Sequence, residues 1–308
     1  MSDHRSAHGY LMKSILSEAG ISKQAFHQYQ KQLEEEALER RWVIQEILKK
    51  RHHHPVMGLK KIHAALEKSL VGRDKFIEIG MKANLSISLA RSYTRTTFST
   101  KSNRYQNLLV DKQTDGINQV WVSDITYFRI GEIFTYLCFV MDVYSRRILG
   151  YHAATSLHAE LCMQTLKMAL KTRQIEDYDN QLIHHSDKGT QYIFHEYTTL
   201  LDKSKAQMSM CNSAYENAHM ERLNGIIKNE YLVPMKIQSF QHLLKTLPKV
   251  VKRYNEQRPH WEIEVLTPIA FEQSLKGIPK CQRTILNIFV EEKTKILQQY
   301  YQSQLLLF

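Results

Sequence analysis

The chain has 308 residues, a formal net charge of +11 and only four cysteines. This length accommodates a full catalytic domain with smaller modules, so we expect two or three domains. The cysteines are widely scattered without a Cys-x-x-Cys pair, which fits a protein of the reducing cytoplasm better than a disulfide framework. The sequence also lacks an apolar signal core and a stretch long enough to span a membrane.

The first 50 residues predict a helix-turn-helix module. Apolar residues recur at helical spacing within residues 10–19, Gly20-Ile21-Ser22 then supplies a turn and a capping serine, and a long polar helix begins at Lys23. The second helix of such a module enters the DNA major groove. Ordinary helical hairpins share this pattern, and the acidic run 34–36 fits either a solvated helix face or a dimer contact.

Residues 51–90 predict a second, basic helical module. Residues 51–110 hold 11 Lys and Arg against 3 Asp and Glu, so most of the net positive charge lies in one fifth of the chain. This concentration favours a nucleic-acid-binding surface over a generic solubility charge. The candidate DNA-binding side chains in this module are Lys60, Lys61, Arg73 and Lys75. The histidine run 52–54 is interpreted as part of the same basic surface.

Residues 91–115 are rich in Ser, Thr, Asn and basic side chains and have little periodicity, which predicts a linker that follows the phosphate backbone of DNA. A catalytic core is expected at 116–275. We predict strands at 120–127, 134–142, 148–153, 181–185 and 206–210, and helices at 158–173, 194–203, 215–232 and 240–256. The order implies an α/β fold, a mixed sheet with helices on both faces, preceded by the small all-α modules.

The remaining residues, 276–308, carry apolar side chains that predict a C-terminal helical tail. Packing on the core is favoured over binding a partner.

Three acidic residues stand in separate settings. Asp124 lies within a strand of alternating apolar residues, Asp187 follows a second strand, and Glu221 belongs to a helix. Carboxylates brought together in this way repel one another unless a divalent cation neutralises them, and oxygen ligands suit Mg²⁺ or Mn²⁺. Taken singly, each acid is more simply a solvated surface charge, so the argument depends on the three together.

A wider set of residues repeats a known pattern. It comprises Trp121, Asp124, Ile125 and Thr126; Asp142, Ser145, Arg146 and Gly150; His185, Ser186, Asp187, Gly189, Gln191 and Tyr192; Asn217, Ala218, Glu221, Lys228 and Glu230; and Tyr254, Asn255, Arg258, Pro259, Thr267 and Pro268. Together these residues resemble the insertion-sequence transposases of the IS-three family, specifically their second-reading-frame product. The catalytic core of that family is similar to that of retroviral integrases.

The resemblance implies a ribonuclease-H-like core in which Asp124, Asp187 and Glu221 form a catalytic DDE triad that holds two Mg²⁺ or Mn²⁺ ions. It also implies phosphoryl transfer on DNA, with cleavage of mobile-element ends and strand transfer by a homo-oligomer. The family usually acts with an upstream-frame product. Lys228, two helical turns beyond Glu221, is expected to hold a phosphate, although a solvated lysine fits equally well. Asn217 shares that helix face and is expected to position DNA or a carboxylate.

The spacing of the third acid departs from the family pattern. The family usually places thirty-five residues between its second and third acids, whereas 33 residues separate Asp187 from Glu221 here. A loop before the helix absorbs such a deletion, so Glu221 is retained and Glu216 is the competing ligand. The alternative function is a non-catalytic DNA-binding regulator derived from a transposase, whose core the shortened spacing has disabled. A ribonuclease-H-like nuclease acting on RNA–DNA hybrids is a weaker option.

Two other polar features receive structural interpretations. Asp142 precedes a turn between two strands and is expected to cap backbone groups there. His185 is expected to shape the end of the active-site strand. The histidines do not combine with thiolates at zinc-binding spacing, so we do not expect the His-His-Cys-Cys zinc module of retroviral integrases.

Overall fold

The computed structural model describes residues 12–87, 105–179, 181–211 and 217–288. They form two compact units. The first contains the described residues up to His53 and from Met57 to 87, and the second contains His54–Val56 and the described residues from 105 onward. No helix within these ranges combines the length and the apolar character that crossing a membrane requires.

The first unit is helical. Its described helices are α1 (Met12–Glu18), α2 (Lys23–His53), α3 (Leu59–Ala64) and α4 (Arg73–Lys82). Gly20 takes a φ of +66°, which glycine reaches without strain, and Ser22 Oγ accepts the N–H of Ala25 at 3.1 Å. The predicted turn and capping serine are therefore confirmed.

A single core joins residues of both predicted N-terminal modules. Helix α2 continues through the boundary predicted at residue 50, and its later part packs on α3 and α4. Val43 and Ile47, four residues apart on one face of α2, are both fully buried. The buried core residues are Val43, Ile47, Met57, Leu59, Ile62, Val71 and Phe76.

The second unit combines a sheet with flanking helices. In chain order its main elements are β1 (Gln113–Thr114), β2 (Val120–Ile130), β3 (Ile133–Asp142), β4 (Ile148–Ala154), α5 (Ala159–Arg173), β5 (Ile183–Ser186), α6 (His195–Lys203), β6 (Gln207–Met210), α7 (Ala218–Gly225), a π-helical segment (Ile226–Leu232), α8 (Phe240–Gln257), α9 (Pro268–Ser274) and β7 (Leu286–Asn287). The predicted strands and helices of the core are recovered with small shifts at their ends.

The main sheet has five strands in the order β4-β3-β2-β5-β6. Strands β2, β3 and β4 pair antiparallel, whereas β5 pairs parallel with both β2 and β6. Adjacent residues of β2, such as Trp121 and Val122, are both buried because helices cover both faces of the sheet. This topology confirms the predicted α/β fold, a ribonuclease-H-like mixed sheet flanked by helices.

Two cores lie on the opposite faces of this sheet. One contains side chains of β2 and β3 together with α7, the π-helical segment and α8. The other packs the sheet against α5 and α6. At Gly150 of β4 a Cβ atom would lie 2.1 Å from the carbonyl oxygen of Thr165 in α5, so the close approach of this helix requires glycine.

Three segments differ from the sequence expectations. The described part of the predicted linker packs on the second unit, where Leu109 is 1% exposed. The described part of the predicted helical tail forms β7, which pairs antiparallel with β1, and the rest of the tail lies outside the described residues. Neither two-residue strand has a local pattern of its own, because the pairing joins segments far apart in the chain.

The helix predicted at 215–232 is also different in detail. Its described part begins as α7 and changes to π geometry from Ile226. The buried positions there are Ile226, Ile227, Tyr231 and Leu232, which repeat at an interval of five residues. The wider π turn keeps all four on the core, which a 3.6-residue repeat does less well. Residues 212–216, including Glu216, lie outside the described part.

Candidate active site

Strand register brings Asp124 and Asp187 together. Strands β2 and β5 are parallel neighbours, and Val122 pairs with His185. Asp124 and Asp187 each follow that pair by two residues, so Asp124 within β2 and Asp187 directly after β5 stand at the same level. The sequence placed each acid at a strand, and the pairing of the strands makes them neighbours.

The two carboxyl groups lie in an environment that disfavours their ionised forms. Burial raises the pKa of Asp124 well above its usual value, and the negative charge of Asp187 raises it further. Burial also raises the pKa of Asp187, which the backbone N–H of Gly189 partly offsets by donating to Oδ1 at 3.1 Å. Two desolvated carboxylates that repel each other form a site that a cation stabilises.

One face of the helix beginning at α7 is hydrogen-bonded along β2. Asn217 Nδ2 donates to the carbonyl oxygen of Ser123 at 3.2 Å, and Asn224 Nδ2 donates to Asp124 Oδ2 at 2.7 Å. Further along, Lys228 Nζ donates to Thr126 Oγ1 at 2.8 Å. The donors follow at intervals of seven and four residues, which is the spacing of one helix face.

Asn224 is a site residue that the sequence analysis missed. Its side chain is 5% exposed, and its amide is the donor that holds one oxygen of the Asp124 carboxylate. The signal was present in the sequence, because Asn224 follows Asn217 by seven residues and Glu221 by three. A buried amide that fixes a carboxylate orients it for whatever the carboxylate binds.

Glu221 lies on the same helix face but points its charge to solvent. It stands between Asn217 and Asn224 in α7, and its side chain is exposed. Within the described ranges, no group of three or more His, Cys, Asp or Glu side chains is gathered closely enough to hold a metal ion. The structure therefore brings Asp124 and Asp187 together and places Glu221 on the facing helix, without closing a three-carboxylate cluster.

The residues present fit a hard divalent cation. The neighbouring Asp124 and Asp187 supply oxygen donors, and a cation would relieve the repulsion that helps to raise the pKa of Asp124. Lys228, whose ammonium group donates to Thr126 Oγ1, is a cationic side chain on which the charge of Asp124 acts. Glu216, the competing third ligand, lies outside the described residues.

Lys228 is not a freely solvated lysine. Burial lowers its pKa, while the charge of Asp124 acts in the opposite direction. Its ammonium group also lies 5.8 Å from the ring centroid of Tyr127. The half-buried ammonium is therefore held at the edge of the acidic site, next to β2.

Two histidines beneath the site are neutral and structural. His185 Nδ1 bonds with Ser209 Oγ at 2.8 Å, and burial lowers the pKa of His185 to about 4. Burial together with the neighbouring His185 lowers the pKa of His184 to about 3, and His184 Nε2 contacts the Tyr197 hydroxyl. These contacts fix the end of β5, from which Asp187 follows.

Asp142 has the structural role that was expected of it. Its carboxylate accepts the N–H of Ser145 at 3.0 Å and that of Asn118 at 2.7 Å, and it pairs with Arg173 at 3.1 Å. The predicted capping is confirmed.

The prediction that the whole histidine run 52–54 forms basic surface is wrong for His54. Helix α2 ends at His53, and the next residue, His54, is 4% exposed and bonds with the Tyr231 hydroxyl at 2.8 Å.

The second unit is similar in sequence to integrase cores. Two protein-family models, each described as an integrase core domain, match residues 115–215 and 203–268. An uncharacterised 31 kDa protein of insertion element IS600 from Shigella sonnei is 30% identical over 223 residues, which are 70% of this chain and 81% of that protein. The chain belongs to the insertion-sequence transposases with an integrase core. This confirms the family predicted from the motifs.

A second relative of the transposase is the transposase InsF for insertion sequence IS3A from Escherichia coli. It is 32% identical over 171 residues, which cover 54% of this chain and 58% of that protein. Among solved structures, the HTLV-2 integrase catalytic core domain in complex with magnesium is 16% identical, with a TM-score of 0.39, and covers 50% of this chain and 95% of its own.

The candidate DNA-binding residues of the transposase's first unit lie on α3 and α4. Lys60 is exposed and Lys61 is half-buried. Arg73 bonds with Asp74 at 2.9 Å, and Lys75 pairs with Glu39 at 2.5 Å. Arg73 and Lys75 are therefore partly neutralised within the unit.

Proposed function

We propose that this transposase cuts the ends of its mobile element and joins them to target DNA, with Asp124, Asp187 and Glu221 as the metal-binding carboxylates. The observation that carries the proposal is the side-by-side placement of Asp124 and Asp187, whose burial and mutual repulsion raise the pKa of the Asp124 carboxyl. Family membership supports a polynucleotidyl transferase.

Mg²⁺ or Mn²⁺ fits this donor set, and two such ions would activate the attacking oxygen and stabilise the leaving oxygen in an in-line phosphodiester displacement. Asp124 and Asp187 would hold the cations from the sheet. Glu221 would complete the ligand set from α7 if its exposed side chain turned toward them, which the shared helix face allows.

Other residues orient this machinery. Asn224 holds Oδ2 of Asp124, which fixes the plane of that carboxylate. Asn217 bonds to the carbonyl oxygen of Ser123 and fixes the strand one residue earlier. Lys228 holds a charge beside the site and is placed to bind a DNA phosphate.

We further propose that the helical modules, through Lys60, Lys61, Arg73 and Lys75, bind the terminal repeats. Charge concentrated in residues 51–110 supports a DNA surface there. The active form is expected to be a homo-oligomer on DNA, with an upstream-frame product as a possible partner.

Strand cleavage and joining on labelled element-end DNA in Mg²⁺ tests the assignment. Wild type is compared with Asp124→Ala, Glu221→Gln and Glu216→Gln, with the upstream-frame product present. Loss of both reactions in the first two variants but not in the third supports the triad. Loss with Glu216→Gln and retention with Glu221→Gln moves the third ligand to Glu216.

Binding of the same DNA is measured in parallel. Wild type that binds element ends without any chemistry overturns the proposed catalysis and supports the regulator. Asp124→Ala that binds ends normally and lacks cleavage separates the metal site from the DNA-binding modules.

A further inference from the structure

Helix α2 of the first unit exposes more apolar surface than a solvated helix needs. Only Val43 and Ile47 of its 31 residues are buried. Tyr29, Leu33 and Leu48 are 57%, 45% and 55% exposed. Large apolar side chains that recur on one helix in this way mark a contact surface.

These side chains belong to one stripe. It consists of Tyr29, Leu33, Ala37, Arg40, Ile44 and Leu48. The successive intervals are four, four, three, four and four residues, which keeps all six positions on one face of the helix. Near its centre, side chains including Leu33, Ala37 and Ile44 border a groove of about 530 Å³.

The stripe has the same spacing in both chain directions. Its midpoint lies between Leu38 and Glu39, and reversal about that point exchanges Tyr29 with Leu48 and Leu33 with Ile44. A twofold axis at the midpoint therefore places an apolar side chain opposite another at both ends of the stripe. Such self-complementarity is what an isologous contact between identical chains requires.

The charges beside the stripe follow the same symmetry. Residues 34–36 are all glutamate and precede the midpoint, with Glu34 and Glu36 on the two sides of the stripe, whereas Arg40 and Arg41 follow it. Reversal brings the acidic run of one helix to the level of the basic pair of the other. A parallel copy would place acid beside acid and base beside base, which is unfavourable.

Both arginines are available for such pairing. Across the described ranges, neither Arg40 nor Arg41 has a carboxylate within ion-pair distance, and both are exposed. The described local partners of the acidic run are exposed, since Lys31 lies 3.8 Å from Glu35 and Gln32 Nε2 donates to Glu36 Oε1 at 3.0 Å. The uncompensated arginines and the apolar stripe thus share one surface.

We propose that α2 pairs antiparallel with α2 of a second copy of this chain, about a twofold axis between Leu38 and Glu39. The pair buries the stripe and places Glu34 and Glu36 of each helix beside Arg40 and Arg41 of the other. It forms without DNA, so two chains reach the element ends already joined. This role is separate from the carboxylate site of the second unit.

Sedimentation equilibrium of the full chain without DNA tests the pairing. Wild type is expected to dimerise at about 100 µM or below. Arg40→Glu combined with Arg41→Glu makes the surface acidic and should raise the dimer dissociation constant by roughly a hundredfold. The control Lys68→Glu with Lys245→Glu makes the same change in net charge at exposed positions away from α2 and should leave dimerisation unchanged.

A second variant, with Glu34, Glu35 and Glu36 each changed to Lys, makes the surface basic and should also dissociate. Mixing the acidic and basic variants should restore a dimer containing one chain of each. A wild type that stays monomeric overturns the proposal. So does a dimer that the acidic variant leaves intact, or separate variants that fold but do not combine.

Disulfide cross-linking tests the direction of the helices. Cys281 is exposed and the other native cysteines are buried, so Cys281→Ser provides the background. Tyr29→Cys and Leu48→Cys chains should cross-link when mixed and not when either is oxidised alone. Cross-linking of each variant with itself shows a parallel pair and overturns the proposal.

Discussion

The second unit contains two pairs of buried or half-buried acids with opposite surroundings. Asp142 and Glu272 meet Arg173, whose guanidinium lies 3.1 Å from Asp142 and 2.6 Å from Glu272, and Arg147 adds a second contact to Glu272. Asp124 and Asp187 receive amide and backbone donors. The first pair is neutralised by arginines of the protein, whereas the donors to the second pair are uncharged.

The pKa shifts of Glu272 and Asp124 express the same contrast. Burial acts to raise the pKa of Glu272, but hydrogen bonds and charge from Arg173 hold it below its usual value. Burial raises the pKa of Asp124, and there the neighbouring Asp187 reinforces the shift instead of opposing it. Buried acids beside arginine are structural, whereas buried acids beside another acid indicate a binding site.

The largest expected effect comes from removing the cation of the neutralised pair. Arg173→Met leaves Asp142 and Glu272 buried without their main partner, and we expect a loss of about 3–5 kcal/mol in the free energy of unfolding. Urea denaturation measures it. Arg129→Met, which removes exposed contacts with Glu132 and the Gly131 carbonyl oxygen, is the control and should change stability by less than about 1 kcal/mol. Equal losses in the free energy of unfolding for Arg173→Met and Arg129→Met would contradict the structural role of Arg173.

Removing the Asn224 amide, which orients Asp124 of the Asp124–Asp187 pair, should have an intermediate effect on function. Asn224→Ala leaves Asp124 Oδ2 without its 2.7 Å donor, and we expect Mg²⁺ affinity or cleavage rate to fall by about 10–100-fold. Titration of cleavage against Mg²⁺ measures it. Asn229→Ala, at an exposed position nearby, is the matched control. An unchanged Mg²⁺ dependence in Asn224→Ala would show that the bond is only structural.

Strand patterns and acid positions were accessible from the sequence, because alternation and strand ends are local properties of the chain. The register of Val122 with His185, which sets Asp124 beside Asp187, required the folded sheet. Arg258 illustrates the same limit: its motif was recognised, but its two-pronged bond to Glu230 at 2.9 and 3.0 Å joins residues 28 positions apart. Contacts of this kind are set by tertiary packing.

The smallest expected effect concerns stability and its pH dependence without metal. Asp124→Asn removes one of two repelling carboxylates, and we expect the metal-free protein to gain about 1–2 kcal/mol near neutral pH. Folding raises the pKa of Asp124. The acid therefore lowers the wild-type free energy of unfolding least below the ordinary aspartate pKa, about 4, where it is protonated in both the folded and the unfolded state. The loss grows as pH rises from that value and the folded protein gives up the proton at the raised pKa. The stability difference should therefore grow with rising pH.

Asp142→Asn is the paired control. Its carboxyl also has a pKa raised by burial, yet removing its charge takes away an ion pair with Arg173, so this variant should lose stability near neutral pH. Urea denaturation at several pH values, repeated with Mg²⁺, measures both variants. Because the ion offsets the repulsion, Mg²⁺ should stabilise wild type and not Asp124→Asn. A variant that gains no stability without metal, or that Mg²⁺ stabilises as strongly as wild type, would place the cation elsewhere than between Asp124 and Asp187.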